Sequence, residues 1–217
     1  MLAATADDYI ALCVLLLVAV GIGFSYYFQR KRLKDLERVA QELGFHFQAE
    51  EGDLPAHICD TLPVFQRSRS RSNFLQGRRV TGEIVLADVR VGSGKQSYSQ
   101  TVASFHLFER QLPAFELSPE SWARKIAQAF GYKDINFDSS PEFSKSYLLR
   151  GQDETAAREL FRADLLHFFT GEKGWSVEGA GDWLCVYRYA RTVSPKDIRS
   201  FLDQTEAVAR LFAQRTS

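Results

Sequence analysis

The sequence predicts an α+β fold: an N-terminal transmembrane helix followed by a mainly antiparallel sheet with packed helices. Three observations lead there. An uncharged apolar run, YIALCVLLLVAVGIGFSYYF, fills Tyr9 to Phe28. After Gly44, β-rich runs and helical periodicities follow one another without the regular alternation of a doubly wound sheet. The chain then closes on a glycine-turned hairpin and a long amphipathic helix. With 217 residues, 45% hydrophobic and 25% charged, the chain suffices for one packed domain plus a short extra segment. Its 27 Lys and Arg balance its 27 Asp and Glu, so any electrostatic attraction must be local. Cys13, Cys59 and Cys185 are few and far apart, which suits a reducing compartment rather than a disulfide framework.

Taken in order, residues 1–8 form a short flank that carries Asp7 and Asp8 but no Lys or Arg. The apolar run from 9 to 28 is about 20 residues, and at roughly 1.5 Å per residue it matches a hydrocarbon core of roughly 30 Å. A cleaved signal peptide would want a basic start and a small-residue cleavage site, whereas Tyr26, Tyr27 and Phe28 follow the run. Arg30, Lys31, Arg32 and Lys34 come next, so the positive-inside rule puts the N-terminus outside and residues from about 29 in the cytoplasm. Tyr26 and Tyr27 then fall at the inner membrane interface. Ala19 with Gly23 and Gly21 with Ser25 are small-xxx-small pairs that permit close helix approach and hence a homodimer. From 29 to 44 the anchor continues as a juxtamembrane amphipathic helix, with Leu33, Leu36, Ala40 and Leu43 on one face and Gly44 as its stop.

The cytosolic domain is expected from 45 to 217. Phe45 to Ala49, Arg79 to Val91 and Tyr98 to Phe108 read as strands. Ser118 and Pro119 are placed to cap a helix with Trp122, Ile126 and Phe130 on one face and Gly131 at its end. Ile135 to Phe137 and Lys145 to Gly151 are short strands; helices are expected over Asp153 to Phe161 and Ala163 to Phe169. The segment WSVEGAGDWLCVYRYA gives two strands about Gly179 to Asp182. Ser194 and Pro195 open a helix to about Arg215, with Ile198, Phe201, Leu202, Thr205, Val208 and Phe212 facing inward.

The order of GSGK…SYSQTVASF, FELSPE, SPEFSKSYLLRG (preceded by INF) and GWSVEGAGDWLCVYRY resembles a bacterial single-pass membrane protein family with one cytosolic α+β domain. The resemblance spans roughly Phe45 to the C-terminus. It implies an inner-membrane protein and brings no catalytic residue with it.

Several motifs invite chemistry. GSGK lacks the spacing of a phosphate-binding loop: Val89 stands where the first glycine belongs, Gln96 where Ser or Thr belongs, and a β-rich run follows instead of a helix. It is expected to be a hairpin turn with glycines at positive φ. In QRSRSRSNFLQGRR, Arg67, Arg69 and Arg71 alternate with serines, and Arg78 and Arg79 follow. These five are candidates for contact with an anionic lipid surface. A solvated edge strand guarded by charge is the competing reading, and the lack of an aromatic stacking platform argues against nucleic acid. His57 and Cys59, beside Asp60, are the only close pair of metal-type ligands, and His46, His106 and His167 are scattered. No metal or cofactor is expected. The carboxylates and hydroxyls from Asp138 to Phe143 read as turn chemistry, and Trp175, Trp183, Tyr187 and Tyr189 as core rather than pocket. No catalytic constellation stands out. The sequence therefore points to a binding or assembly module for a membrane partner or anionic lipid. The alternative is an enzyme on a membrane-associated substrate, its site assembled only by the fold.

Overall fold

The computed structural model describes residues 6–50, 56–122 and 134–214, with the side chains of 6–13, 56–57 and 95 left aside. It is α+β, built on a nine-stranded antiparallel sheet. Helix α1 (Ala6–Leu43) runs unbroken for 38 residues. Gly44, at φ +70°, ends it in the left-handed region that glycine enters without penalty. The chain continues through β1 (His46–Gln48), α2 (Ala56–Thr61) and α3 (Pro63–Gln66). Strands β2 (Ser68–Arg79), β3 (Gly82–Val91), β4 (Tyr98–His106) and β5 (Leu112–Pro119) follow. Beyond 134 come β6 (Asp134–Ile135), α4 (Pro141–Ser146), β7 (Tyr147–Gly151), α5 (Glu154–Leu160) and α6 (Ala163–Gly171). The hairpin β8 (Ser176–Gly181) and β9 (Trp183–Tyr187) and the helix α7 (Ile198–Ala213) close the chain.

The sheet order is β1-β2-β3-β4-β9-β8-β5-β7-β6, every neighbouring pair antiparallel. Because side chains alternate along a strand, each central strand feeds two cores. One face carries Ile84, Leu86, Phe105, Leu117, Val177 and Val186 against Leu36 and Ala40 of α1 and the inner stripe of α7. The other carries Phe74, Val85, Val89, Val102, Trp183 and Tyr187 against Ile58, Leu62, Val64 and Phe65 of α2 and α3. Ile198, Phe201, Leu202, Thr205, Val208 and Phe212, expected on the inner face of the last helix, are all buried.

The GSGK segment joins β3 to β4, which pair as a hairpin from Glu83↔His106 to Val91↔Tyr98. Gly92 and Gly94 sit at φ +81° and +55°, as a tight turn requires. Elsewhere the structure departs from the sequence reading. Ser118 and Pro119 belong to β5, Ser118 opposite Leu148 and Pro119 opposite Tyr147, and the expected helix opens immediately after them, at Glu120. Pairing with β7 holds Ser118 in the strand rather than at a cap, and the proline is tolerated because it ends the strand. The helix expected beyond it lies, after Trp122, outside the described residues. The run from Arg79 to Val91 is not one strand, since β2 ends at Arg79 and turns into β3 at Gly82. The serine–arginine segment belongs to β2, whose partner on the outer side among the described residues, β1, pairs with Phe74–Gln76. Ser68 and Ser70 to Ser72 are paired with β3 alone among the described strands, as an edge would be, while the Asn73 N–H donates to the Ala49 carbonyl on the outer side.

Within the predicted span, Val14 to Val18 are consecutive and each more than half exposed, so apolar surface surrounds the helix rather than forming a stripe. The described side chains begin at Val14, leaving Tyr9 to Cys13 outside them. Among the described residues, no helix is long and apolar enough to cross a membrane. Below Phe28 the helix changes character, and Leu36 and Ala40 are fully packed.

Candidate functional site

Charged side chains gather, among other places, at the junction of α1 with the sheet and on a buried rung of the sheet. Arg32 turns into the domain: Nη2 donates to Asp88 Oδ2 at 2.8 Å and Nη1 to the Val193 carbonyl at 2.9 Å. Asp88, on β3, also accepts from Asn73 Nδ2 and from Thr101 Oγ1, whose oxygen in turn accepts the Val193 N–H. Helix, two further strands and the approach to α7 are thus tied to one carboxylate. Arg30, Lys31 and Lys34 stand apart from this knot and are exposed. Arg30 lies over the Tyr26 ring at 4.8 Å. Of the four basic residues that the sequence led us to expect at a membrane interface, Arg32 is therefore engaged with the domain, while Arg30, Lys31 and Lys34 stay on the surface with Tyr26 and Tyr27.

The second place is buried. One rung of the sheet places Ser104, Cys185, Glu178, Glu116, Arg150 and Asp134 on successive strands, from β4 through β9, β8, β5 and β7 to β6. Two carboxylates stand directly opposite each other in it, an arrangement that repels unless a cation intervenes. Arg67, at the end of α3, supplies the cation. Its Nη1 donates to Glu116 at 3.0 and 3.2 Å and its Nη2 to Glu178 Oε1 at 2.6 Å. Glu178 also accepts from the Tyr187 hydroxyl and from the Val64 N–H, each at 2.7 Å. Burial alone would pull the Arg67 pKa down, but Glu178, Tyr187 and Glu116 hold it above its ordinary value. Burial pushes the Glu178 carboxyl up, Arg67 draws it back, and Glu116 pushes it up again, to about 7. Burial likewise raises the Cys185 thiol well above the usual range, which keeps it inert.

The arrangement is a staple, not a reaction centre. Both oxygens of Glu178 accept from donors of the chain, and its side chain is fully buried, so a substrate has no access to it. Its proton does bear on stability. In the unfolded chain the carboxyl titrates near its ordinary value of about 4.3, so between there and about pH 7 the folded state binds this proton more tightly. The stability it brings is present below the unfolded pKa and is lost as pH rises towards 7. Glu116→Gln removes the opposing charge and should flatten this decline. Chemical unfolding of full-length protein in detergent between about pH 4.5 and 7 measures it, and an unchanged slope would discard the two-carboxylate account.

The five arginines proposed for an anionic surface do not share one. Arg67 is the staple just described. A bulge between Ser68 and Ser70 breaks the alternation that would align it with Arg69 and Arg71. Arg69 is exposed, while Arg71, opposite Val89, is half-buried over the α2–α3 side. Arg78 covers the exposed Phe108 ring at 5.5 Å. Arg79 pairs with Asp203 and Glu206 of α7 at 2.8 and 3.3 Å. Among the described residues no group of three or more His, Cys, Asp or Glu is placed to hold a metal. The His57 side chain lies outside those described, and Cys59 is half-buried. His46 and His167 are exposed, and His106 bonds Asp182 and stacks on Trp183. Trp175, Trp183 and Tyr187 are core residues, whereas Tyr189 stacks between Tyr98 and Trp122.

No protein-family model matches the chain, and no curated protein matches its sequence. Among solved structures, its fold resembles the mycobacterial trehalose monomycolate transport factor A, TtfA. The TM-score is 0.57 and the identity 12%, over 85% of this chain and 93% of that one.

Proposed function

We propose that this protein is a bacterial inner-membrane binding or assembly module. The first half of α1 is its single-pass anchor, with the N-terminus outside, and the sheet domain works at the cytoplasmic face on a membrane partner or anionic lipid. The observation that carries the reading is α1 itself. Its upper part exposes apolar side chains on every side, each worth roughly 1.5–3 kcal/mol on leaving water. A soluble surface rarely sustains such a continuous patch. Its lower part is locked into the sheet through Arg32 and Asp88. The same helix therefore belongs to both environments. The basic cluster after Phe28 gives the orientation. The fold likeness to a trehalose monomycolate transport factor fits a membrane-associated, transport-related role. Tethering raises the effective concentration of the domain at the bilayer, so modest contacts suffice there. The one buried carboxylate pair described is satisfied by its own chain, so no observation favours the enzymatic reading.

The test is fractionation. Full-length protein is expected to stay with bacterial membranes through carbonate extraction, and a chain starting at Arg30 to be released from them. A C-terminal fluorescent reporter that matures only in the cytoplasm should be bright. Release of the full-length chain by carbonate would end the anchor reading, and a dark but expressed reporter would reverse the orientation.

A further inference from the structure

Two grooves open along α1, and they share Asp35 and Arg38. The upper, of about 420 Å³, is lined by Tyr26, Tyr27, Arg30, Lys31 and Lys34 besides the shared pair. The lower, of about 410 Å³, lies where α1 meets the chain entering α7, with Glu42, Ser194, Lys196 and Arg199 on its walls. The two adjoin at Asp35 and Arg38, which line both; taken together as a trough, they follow α1 from the level of the two tyrosines to the sheet domain.

Its charge is graded. At the upper end Arg30, Lys31, Lys34 and Arg38 face one carboxylate, Asp35. Arg38 is paired with that carboxylate at 3.1 Å, while Arg30, Lys31 and Lys34 form no ion pair with a described carboxylate. At the lower end Arg38, Lys196 and Arg199 are set against Asp35 and Glu42, and Arg199 approaches Glu42 at 3.6 Å. An anion is attracted to the first end. The second, nearly balanced and rich in donors and acceptors, suits uncharged hydroxyls. Above the trough the tyrosines adjoin apolar surface, where the Phe24 and Phe28 rings lie 4.4 Å apart. A soluble anion would leave that surface unused, whereas an acyl chain would cover it.

We propose that this trough seats the headgroup of an anionic phospholipid. The phosphate lies against Arg30, Lys31 and Lys34, and the headgroup's uncharged hydroxylated part extends towards Lys196 and Arg199. The proposal names the lipid contact of the anchored module and rests on that reading of α1. It also moves the contact away from the serine–arginine segment, whose Arg67 is consumed within the fold.

The experiment titrates full-length protein in neutral detergent with phosphatidylglycerol or phosphatidylcholine and counts bound lipid by native mass spectrometry. Wild-type protein should bind phosphatidylglycerol saturably. At roughly 1 kcal/mol per basic residue near a headgroup surface, Lys31→Gln with Lys34→Gln should weaken it on the order of 30-fold. Arg69→Gln should leave it unchanged, and millimolar inorganic phosphate should not displace it. Equal binding of phosphatidylcholine, an unaffected double variant, or displacement by phosphate would each overturn the proposal. Carbonate extraction of the same proteins is scored separately. Loss of membrane residence by wild-type chain would remove the anchor reading, while the detergent titration would still judge the trough.

Discussion

Arg67→Met is expected to destabilise the folded protein by about 3–5 kcal/mol, the range for removing one partner of a buried ion pair. In a domain of this size that lowers the melting temperature by on the order of 10 °C. The physical reason is that Glu116 and Glu178, 5% and 0% exposed, would face each other across neighbouring strands without their shared cation. Removing the carboxylates as well, in Arg67→Met with Glu116→Met and Glu178→Leu, should recover most of the loss, because no orphaned charge remains. Arg69→Met, two residues away and exposed, should stay within about 0.5 kcal/mol of wild type. Thermal and chemical unfolding of full-length protein in detergent checks all three. A wild-type midpoint for Arg67→Met would show that the staple does not hold α3 to the sheet.

The second large effect concerns the proposed anchor. Leu16→Asp together with Val18→Asp should move the full-length chain out of the carbonate-resistant fraction. A carboxylate near the centre of a spanning helix costs about 2.5–3.5 kcal/mol, so two cost roughly 5–7 kcal/mol, more than a thousandfold in a partition equilibrium. Gln41→Asp, on the exposed side of the lower half of the same helix, should leave fractionation unchanged. If the double variant remained as firmly in the membrane as wild type, the exposed collar from Val14 to Phe28 would need another occupant.

What the sequence disclosed follows from how local each signal is. The last helix was legible because its inward stripe keeps a period that six buried residues then obey. The GSGK turn was legible because failed spacing excluded one reading and glycine chemistry supplied another. Ser118 and Pro119 marked the start of a helix at Glu120, but their own place at the end of β5 was hidden, since the pairing of β5 with β7 is not local. Helices α2 and α3 went unseen: they are too short to show a period, and only the sheet beneath gives Ile58, Leu62 and Phe65 a place to pack. The staple had one faint signal. Glu116 lies between Phe115 and Leu117, and Glu178 between Val177 and Gly179, in strands buried on both faces. A carboxylate in such a run requires a cation, but nothing in the sequence says that the cation is Arg67 rather than one of its neighbours.

The junction at Arg32 has a mechanical consequence. Between Phe24 and Leu43 the helix contains neither glycine nor proline, the residues at which helices most often bend. Its lower end is clamped by bonds from Arg32 to Asp88 and Val193. On the proposed anchoring, anchor and sheet would move as a lever and its load. A thinner or thicker bilayer changes the tilt of a spanning helix, and with no glycine or proline between Phe24 and Leu43 to absorb the change, the sheet would swing with an α1 anchored as proposed. The trough on α1 would keep its shape through that swing, while the far edge of the domain traces the widest arc.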